Sequence, residues 1–159
     1  MLTLSLDSAS LSDGPTLEYS LSAVDAWTAA LGSAPSTSPA EGPPGYDLQM
    51  TVVEWPGLKM TVPNDGSATG RLFVSSPTVA GHPVVTAEGL SVGSTRAEGV
   101  AAGAVDGFDS TELRLGFRDV PGTQSLQRPG ETGREYVMLV LDGDSVKSIL
   151  VPADDYSDL

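Results

Sequence analysis

Tyr136-Val137-Met138-Leu139-Val140-Leu141-Asp142-Gly143-Asp144-Ser145-Val146-Lys147-Ser148-Ile149-Leu150-Val151 carries two dense apolar runs on either side of an Asp-Gly turn. Short runs rich in β-branched residues, bounded by turn residues, predict strands, and Asp142-Gly143 supplies the backbone freedom a tight hairpin needs. Immediately upstream, residues 120–133 read as a long loop. Before it, Leu113, Leu115 and Phe117 alternate with Arg114, Gly116 and Arg118, which predicts a half-buried strand with the two sets on opposite faces.

Further upstream, Thr95 and Glu98 have the spacing of a capping box, and Ala97, Val100, Ala101 and Ala104 fall on one helical face. The first half shows the same order of elements. Ser22 and Asp25 repeat the capping spacing, with Val24, Trp27 and Leu31 at helical intervals and Gly32 placed to end the helix. A Pro, Ser and Gly-rich loop spans 33–45. Three strands follow: Tyr46 to Val52, Leu58 to Val62 and Arg71 to Ser75, with Trp55-Pro56-Gly57 and Pro63-Asn64-Asp65-Gly66-Ser67 as turns. Alternation at Leu2-Thr3-Leu4-Ser5-Leu6 and the segment Thr16 to Tyr19 add strands at the start, and residues 77–83 form the joint.

Ser22 to Thr95 and Ser75 to Ser148 are separated by the same offset. The expectation is an α+β protein of two tandem helix-plus-antiparallel-sheet units, residues 1–80 and 81–159, related by internal duplication. One short helix on a small sheet buries little surface and is marginal alone, so two such layers would stabilise each other.

The segment Gly89-Leu90-Ser91-Val92-Gly93-Ser94-Thr95-Arg96-Ala97-Glu98, followed by Asp142-Gly143-Asp144-Ser145-Val146-Lys147-Ser148-Ile149, resembles the repeat unit of β-lactamase-inhibitor-protein-like domains and of the small lipoprotein of the outer-membrane assembly machinery. The resemblance covers mainly the second half, and it implies an exported bacterial fold. It transfers no inhibitory residue. The chain departs from the inhibitor in lacking cysteine, in being only 6% aromatic, and in placing Gly99 where such helices carry an apolar residue.

The formal charge of −13, from 21 acidic and 8 basic residues, argues against nucleic acid and against an anionic membrane surface. No apolar run is long enough to span a bilayer. Absence of cysteine removes disulfides, thiolate metal sites and a cysteine nucleophile. The Ser, Thr, Gly and Pro-rich composition with two lysines fits a secreted or cell-surface protein whose signal sequence has been removed.

His82, the one histidine, lies between Gly81 and Pro83 with no nucleophile elbow in the chain, so the sequence gives no catalytic residue and no cofactor. Calcium is the one plausible ion, through Asp106/Asp109/Glu112, Asp142/Asp144 or Asp154/Asp155/Asp158, but none has EF-hand spacing. Solvated turn acids explain them better, and metal binding is not expected. The long loop is the feature most suited to a partner, with Gln124, Leu126, Gln127 and Arg128 as candidate contacts. Deleting residues 123–130 is expected to leave the melting temperature nearly intact while abolishing partner capture. These readings favour a non-catalytic, exported protein-binding module of unknown specificity. A secreted carboxylate hydrolase, or an accessory domain of one, and a structural envelope component are the alternatives.

Overall fold

Alternation of buried and exposed residues along the strands sorts the chain into two layers. In the computed structural model, which describes residues 1–157, β1 (Leu2–Leu4), β2 (Ser8–Leu11) and β3 (Thr16–Glu18) lead through a 3₁₀ turn to α1 (Val24–Leu31). Four strands follow: β4 (Ser36–Pro39), β5 (Met50–Trp55), β6 (Leu58–Pro63) and β7 (Arg71–Val74). Then come β8 (Thr78–Val79), β9 (His82–Thr86), α2 (Arg96–Ala101), β10 (Val105–Asp106), β11 (Glu112–Gln124), β12 (Thr132–Asp142) and β13 (Ser145–Asp154). One sheet has the order β3-β2-β1-β9-β8, and the other runs β10-β11-β12-β13-β7-β6-β5-β4.

Register places one row of side chains straight across six strands of the larger sheet: Leu113, Leu139, Ile149, Val74, Leu58 and Trp55. All six are buried. The next row, Arg114, Met138, Leu150, Phe73, Lys59 and Glu54, therefore lies on the opposite, outer face. The inner row joins Leu2, Leu4, Leu17, Val79 and Val84 of the smaller sheet in a single hydrophobic cluster. At about 1.5–3 kcal/mol per fully buried large apolar side chain, this shared layer outweighs anything the two short helices contribute.

That layer overturns the expected α+β duplication. The chain is 47% strand and 11% helix, and residues of both halves enter one core rather than two helix-plus-sheet units. Strands from either side of the expected joint pair directly, β1 with β9 in parallel and β7 with β13 antiparallel. The two capping boxes also differ. Thr95 accepts from the Glu98 amide at 3.1 Å while Glu98 Oε2 accepts from the Thr95 amide at 2.7 Å. Ser22 lies inside the 3₁₀ turn Leu21–Ala23, and α1 has no side-chain cap. Continuous helical backbone there leaves Ser22 no extended conformation from which to cap.

Each helix is fixed by what it covers. Trp27 of α1 is fully buried against Tyr19 and Trp55, and both indoles are satisfied, Trp27 Nε1 by the Glu18 carbonyl (2.8 Å) and Trp55 Nε1 by Ser33 (2.9 Å). Trp55, which the sequence reads as a turn residue, is thus core. On α2, a Cβ at Gly99 would lie 2.9 Å from Leu113 Cδ1, so the missing side chain lets the helix seat on the inner row. Within the loop expected at 33–45 the structure adds β4, paired to β5 at the sheet edge.

Gly70 joins the two layers, its amide donating to the Tyr19 carbonyl at 2.7 Å. A Cβ there would collide with Val62 Cγ1 and lie 2.9 Å from the carbonyls of Thr61 and Tyr19. Gly70→Ala is expected to lower unfolding free energy by about 1–3 kcal/mol in urea titration; an unchanged midpoint would show that the layers accommodate the methyl.

Candidate functional site

Along β12 the alternation is unbroken, so Arg134, Tyr136, Met138 and Val140 share the outer face while Val137, Leu139 and Leu141 enter the core. Opposite them β11 carries a bulge: Leu115 pairs with Val137, but Arg118 pairs with Glu135, leaving one extra residue on β11. Gly116 sits at the bulge with φ +66°, a conformation that favours glycine. The bulge reverses the facing of everything after it. Phe117, read from sequence as sharing a face with Leu113 and Leu115, is turned outward, and Arg118 points toward the smaller sheet, where Asp7 accepts from it twice (2.6 and 2.8 Å) and Glu135 once (2.5 Å).

Turned outward, Phe117 completes a ladder. The Arg114 guanidinium lies 4.7 Å from the Tyr136 ring centre, Tyr136 packs on Phe117 at 5.4 Å, and the Arg134 guanidinium lies 4.2 Å over Phe117. Cation–π contacts of this kind hold arginines flat against the rings. Arg114, only 8% exposed, is paired with Glu112 and donates to Gln127 Oε1 at 2.6 Å. Tyr136 donates to the Asp154 carbonyl at 3.1 Å. Beside the ladder, Met138, Val140, Leu150 and Phe73 form the apolar centre of the outer face, with Phe73 40% exposed.

The loop read as 120–133 is shorter than expected, because β11 continues to Gln124 and β12 begins at Thr132. It is also fastened. Asp155, nearly fully buried, accepts from Ser125 Oγ (2.8 Å), the Arg134 amide (2.7 Å) and Arg128 Nη2 (3.3 Å), while its carbonyl accepts from the Leu126 amide (2.7 Å). Arg128 also pairs with Glu131 and donates to the Thr132 carbonyl at 3.0 Å. Of the four candidate contacts, Gln127 and Arg128 are therefore engaged internally, Gln124 ends β11 opposite Thr132, and Leu126 stands 60% exposed. The loop is thus fastened to the sheet end through Asp155.

The acidic clusters do not converge. Asp106 pairs with Arg96, Asp109 accepts from Thr111, and Glu112 pairs with Arg114. Asp142 and Asp144 flank an exposed turn, Asp154 pairs with Arg71, and Asp158 lies outside the described residues. Among the described residues, no group of three or more His, Asp or Glu side chains is placed to hold a metal ion, and no helix is long and apolar enough to cross a membrane. His82 is the first residue of β9, far in sequence from the ladder and paired with Val79. Comparison with protein-family models, curated proteins and solved structures finds no match.

Burial alone would raise the Asp155 carboxyl, but the hydrogen bonds from Arg134, Ser125 and Arg128 outweigh it and hold the carboxyl below its ordinary range. A depressed folded value means the stabilisation is full above the unfolded value, about 4, and is lost as pH falls through the folded one. Asp155→Asn should therefore cost about 1–3 kcal/mol at neutral pH. The gap from wild type should close below about pH 4, read by thermal melts across pH; a gap independent of pH would exclude this fastening.

Proposed function

We propose that the chain is a non-catalytic, exported protein-binding module whose contact surface is the outer face of β7, β13 and β12 together with the fastened loop. One observation carries this reading: an apolar centre of Phe73, Leu150, Met138 and Val140 is left on the outer face while the inner face of the same strands is fully packed. A strand buried on one side ordinarily turns polar residues to water on the other, and clustered apolar residues in a polar rim are characteristic of interaction surfaces. The rim is supplied by Glu112 and Arg114 on one side and by Lys59 and Glu54 on the other. Leu126 adds an exposed apolar contact at the loop.

Two further features support the reading. The face is rigid, since the ladder and the Asp155 contacts fix its end before any partner arrives, which lowers the ordering cost of association. The acids that a carboxylate hydrolase would bring together are instead distributed among arginines, serines and turns.

α2 covers the inner row, so its exposed Val100 lies on the other side of the molecule from Phe73. Phe73→Glu should leave the melting temperature within a few degrees of wild type and reduce capture of the native partner by about tenfold or more. Val100→Glu should capture normally. Loss of capture in the Val100 variant with retention in the Phe73 variant would move the contact surface to the helix side.

A further inference from the structure

Five of the six arginines are spoken for. Arg71 pairs with Asp154, Arg96 with Asp106, Arg114 with Glu112, Arg118 with Asp7 and Glu135, and Arg128 with Glu131 and Asp155. Arg134 has no carboxylate within ion-pair distance among the described residues, in a chain that carries 21 acids. Its Nε, like that of the doubly paired Arg128, is sealed from solvent and has no hydrogen-bond partner. Both deficits sit on a side chain whose orientation is fixed, because the guanidinium lies 4.2 Å over the Phe117 ring and the Arg134 amide is held by Asp155 at 2.7 Å. Stacking uses the face of a guanidinium and leaves the in-plane N–H donors of its two Nη atoms for a ligand, beside the sealed Nε.

From this arrangement we infer that Arg134 is the recognition point for a carboxylate of the protein partner, which the guanidinium grips by its edge while Phe117 holds it flat. The inference rests on the reading of the outer face as the binding surface and supplies the chemistry of the group bound at its end. Three observations select a carboxylate. The planar fork of donors matches two carboxylate oxygens. Asp119 lies opposite Arg134 in register, and Asp155 and Glu131 lie nearby, so a dianionic phosphate would meet more repulsion than a single negative charge. Arg134 also shares its face with Tyr136 and Met138, so a carboxylate seated on it stands next to the apolar centre.

The test uses three short peptides as probes: acetyl-Ala-Ala-Ala with a free carboxylate, acetyl-Ala-Asp-Ala amide, and acetyl-Ala-Ala-Ala amide as the uncharged control. The readout, at constant ionic strength, is the ¹H–¹⁵N resonance of Arg134 Nε in wild type and Asp119→Asn, and the neighbouring backbone amides in Arg134→Gln. The expected result is a saturable shift of Arg134, larger than that of any paired arginine, with one or both carboxylate peptides and none with the amide. In Arg134→Gln, binding followed on neighbouring amides should weaken at least about tenfold. Whichever carboxylate peptide shifts the resonance more identifies a chain terminus or an acidic side chain as the partner group.

No shift in wild type, a shift only in Asp119→Asn, or a response to inorganic phosphate but to neither carboxylate peptide would overturn the inference. If the peptides fail while Phe73→Glu abolishes capture, the outer face stands and the carboxylate site falls. If the peptides bind at Arg134 while Phe73→Glu captures normally, the site stands and the apolar contact falls.

Discussion

The antiparallel pairing of β7 with β13 holds the molecule together. It is only three residue pairs long, Val74 with Ile149, Phe73 with Leu150 and Leu72 with Val151, yet it joins the strands of residues 36–74 to those of residues 105–154 in one sheet. Its residues alternate between the two faces. Leu72, Val74, Ile149 and Val151 are fully buried, while Phe73 and Leu150 lie on the outside. The same seam therefore builds the centre of the core and the centre of the proposed contact surface. The parallel pairing of β1 with β9 repeats the arrangement in the smaller sheet, and Gly70 binds the two layers by admitting close backbone approach.

Around that seam the polar residues are arranged to fix geometry. The end of β11 and β12 gathers Arg114, Arg118, Arg128 and Arg134, and three of them hold side chains from other segments, two of these being acids. Arg118 reaches across to Asp7 in the turn after β1, Arg128 reaches Asp155 after β13, and Arg114 reaches Gln127 in the loop. Exposed ion pairs contribute little one at a time, but here hydrogen bonds to a nearly buried Asp155 and Arg114 accompany them. Networks of this kind specify one arrangement more than they add stability. The loop is consequently a wall of the sheet end.

Local pattern made part of this legible. The hairpin at 136–151, the alternation of β6, the turns at Gly57 and Asp142-Gly143 and the box at Thr95 and Glu98 each declare themselves over a few residues, because period and turn chemistry are local properties. The strand read at Tyr46 to Val52 is instead β5 at Met50–Trp55, with Val53 and Trp55 rather than Met50 and Val52 turned into the core. The pairing of β7 with β13 and of β1 with β9 is not local, and nothing in either strand names its partner. Matching element order therefore suggested separate α+β units where non-local pairing makes one mainly β body. β4 was hidden because Ser36-Thr37-Ser38-Pro39 is polar and proline-bounded, as an exposed edge strand often is. Asp155 gave no signal, since a buried carboxylate and a turn acid look alike in sequence.

The bulge at Gly116 shows how one residue links these levels. Strict alternation through 113–118 would bury Phe117 and leave Arg118 outside; one extra residue on β11 reverses both. The reversed Arg118 finds Asp7 and Glu135 and closes the smaller sheet onto the larger, while the reversed Phe117 becomes the ring that holds Arg134. A glycine with φ +66° makes that reversal inexpensive, because its backbone region is strained for other residues. The visible sign in the sequence was Gly116 itself, a glycine interrupting a strand pattern, which marks a bulge more often than a weakness in the strand. Tertiary closure and the ladder on the outer face thus share a single origin. Beside that bulge Arg134 has no carboxylate within ion-pair distance among the described residues, so its orientation is set by the Phe117 ring and by the strand rather than by a charge.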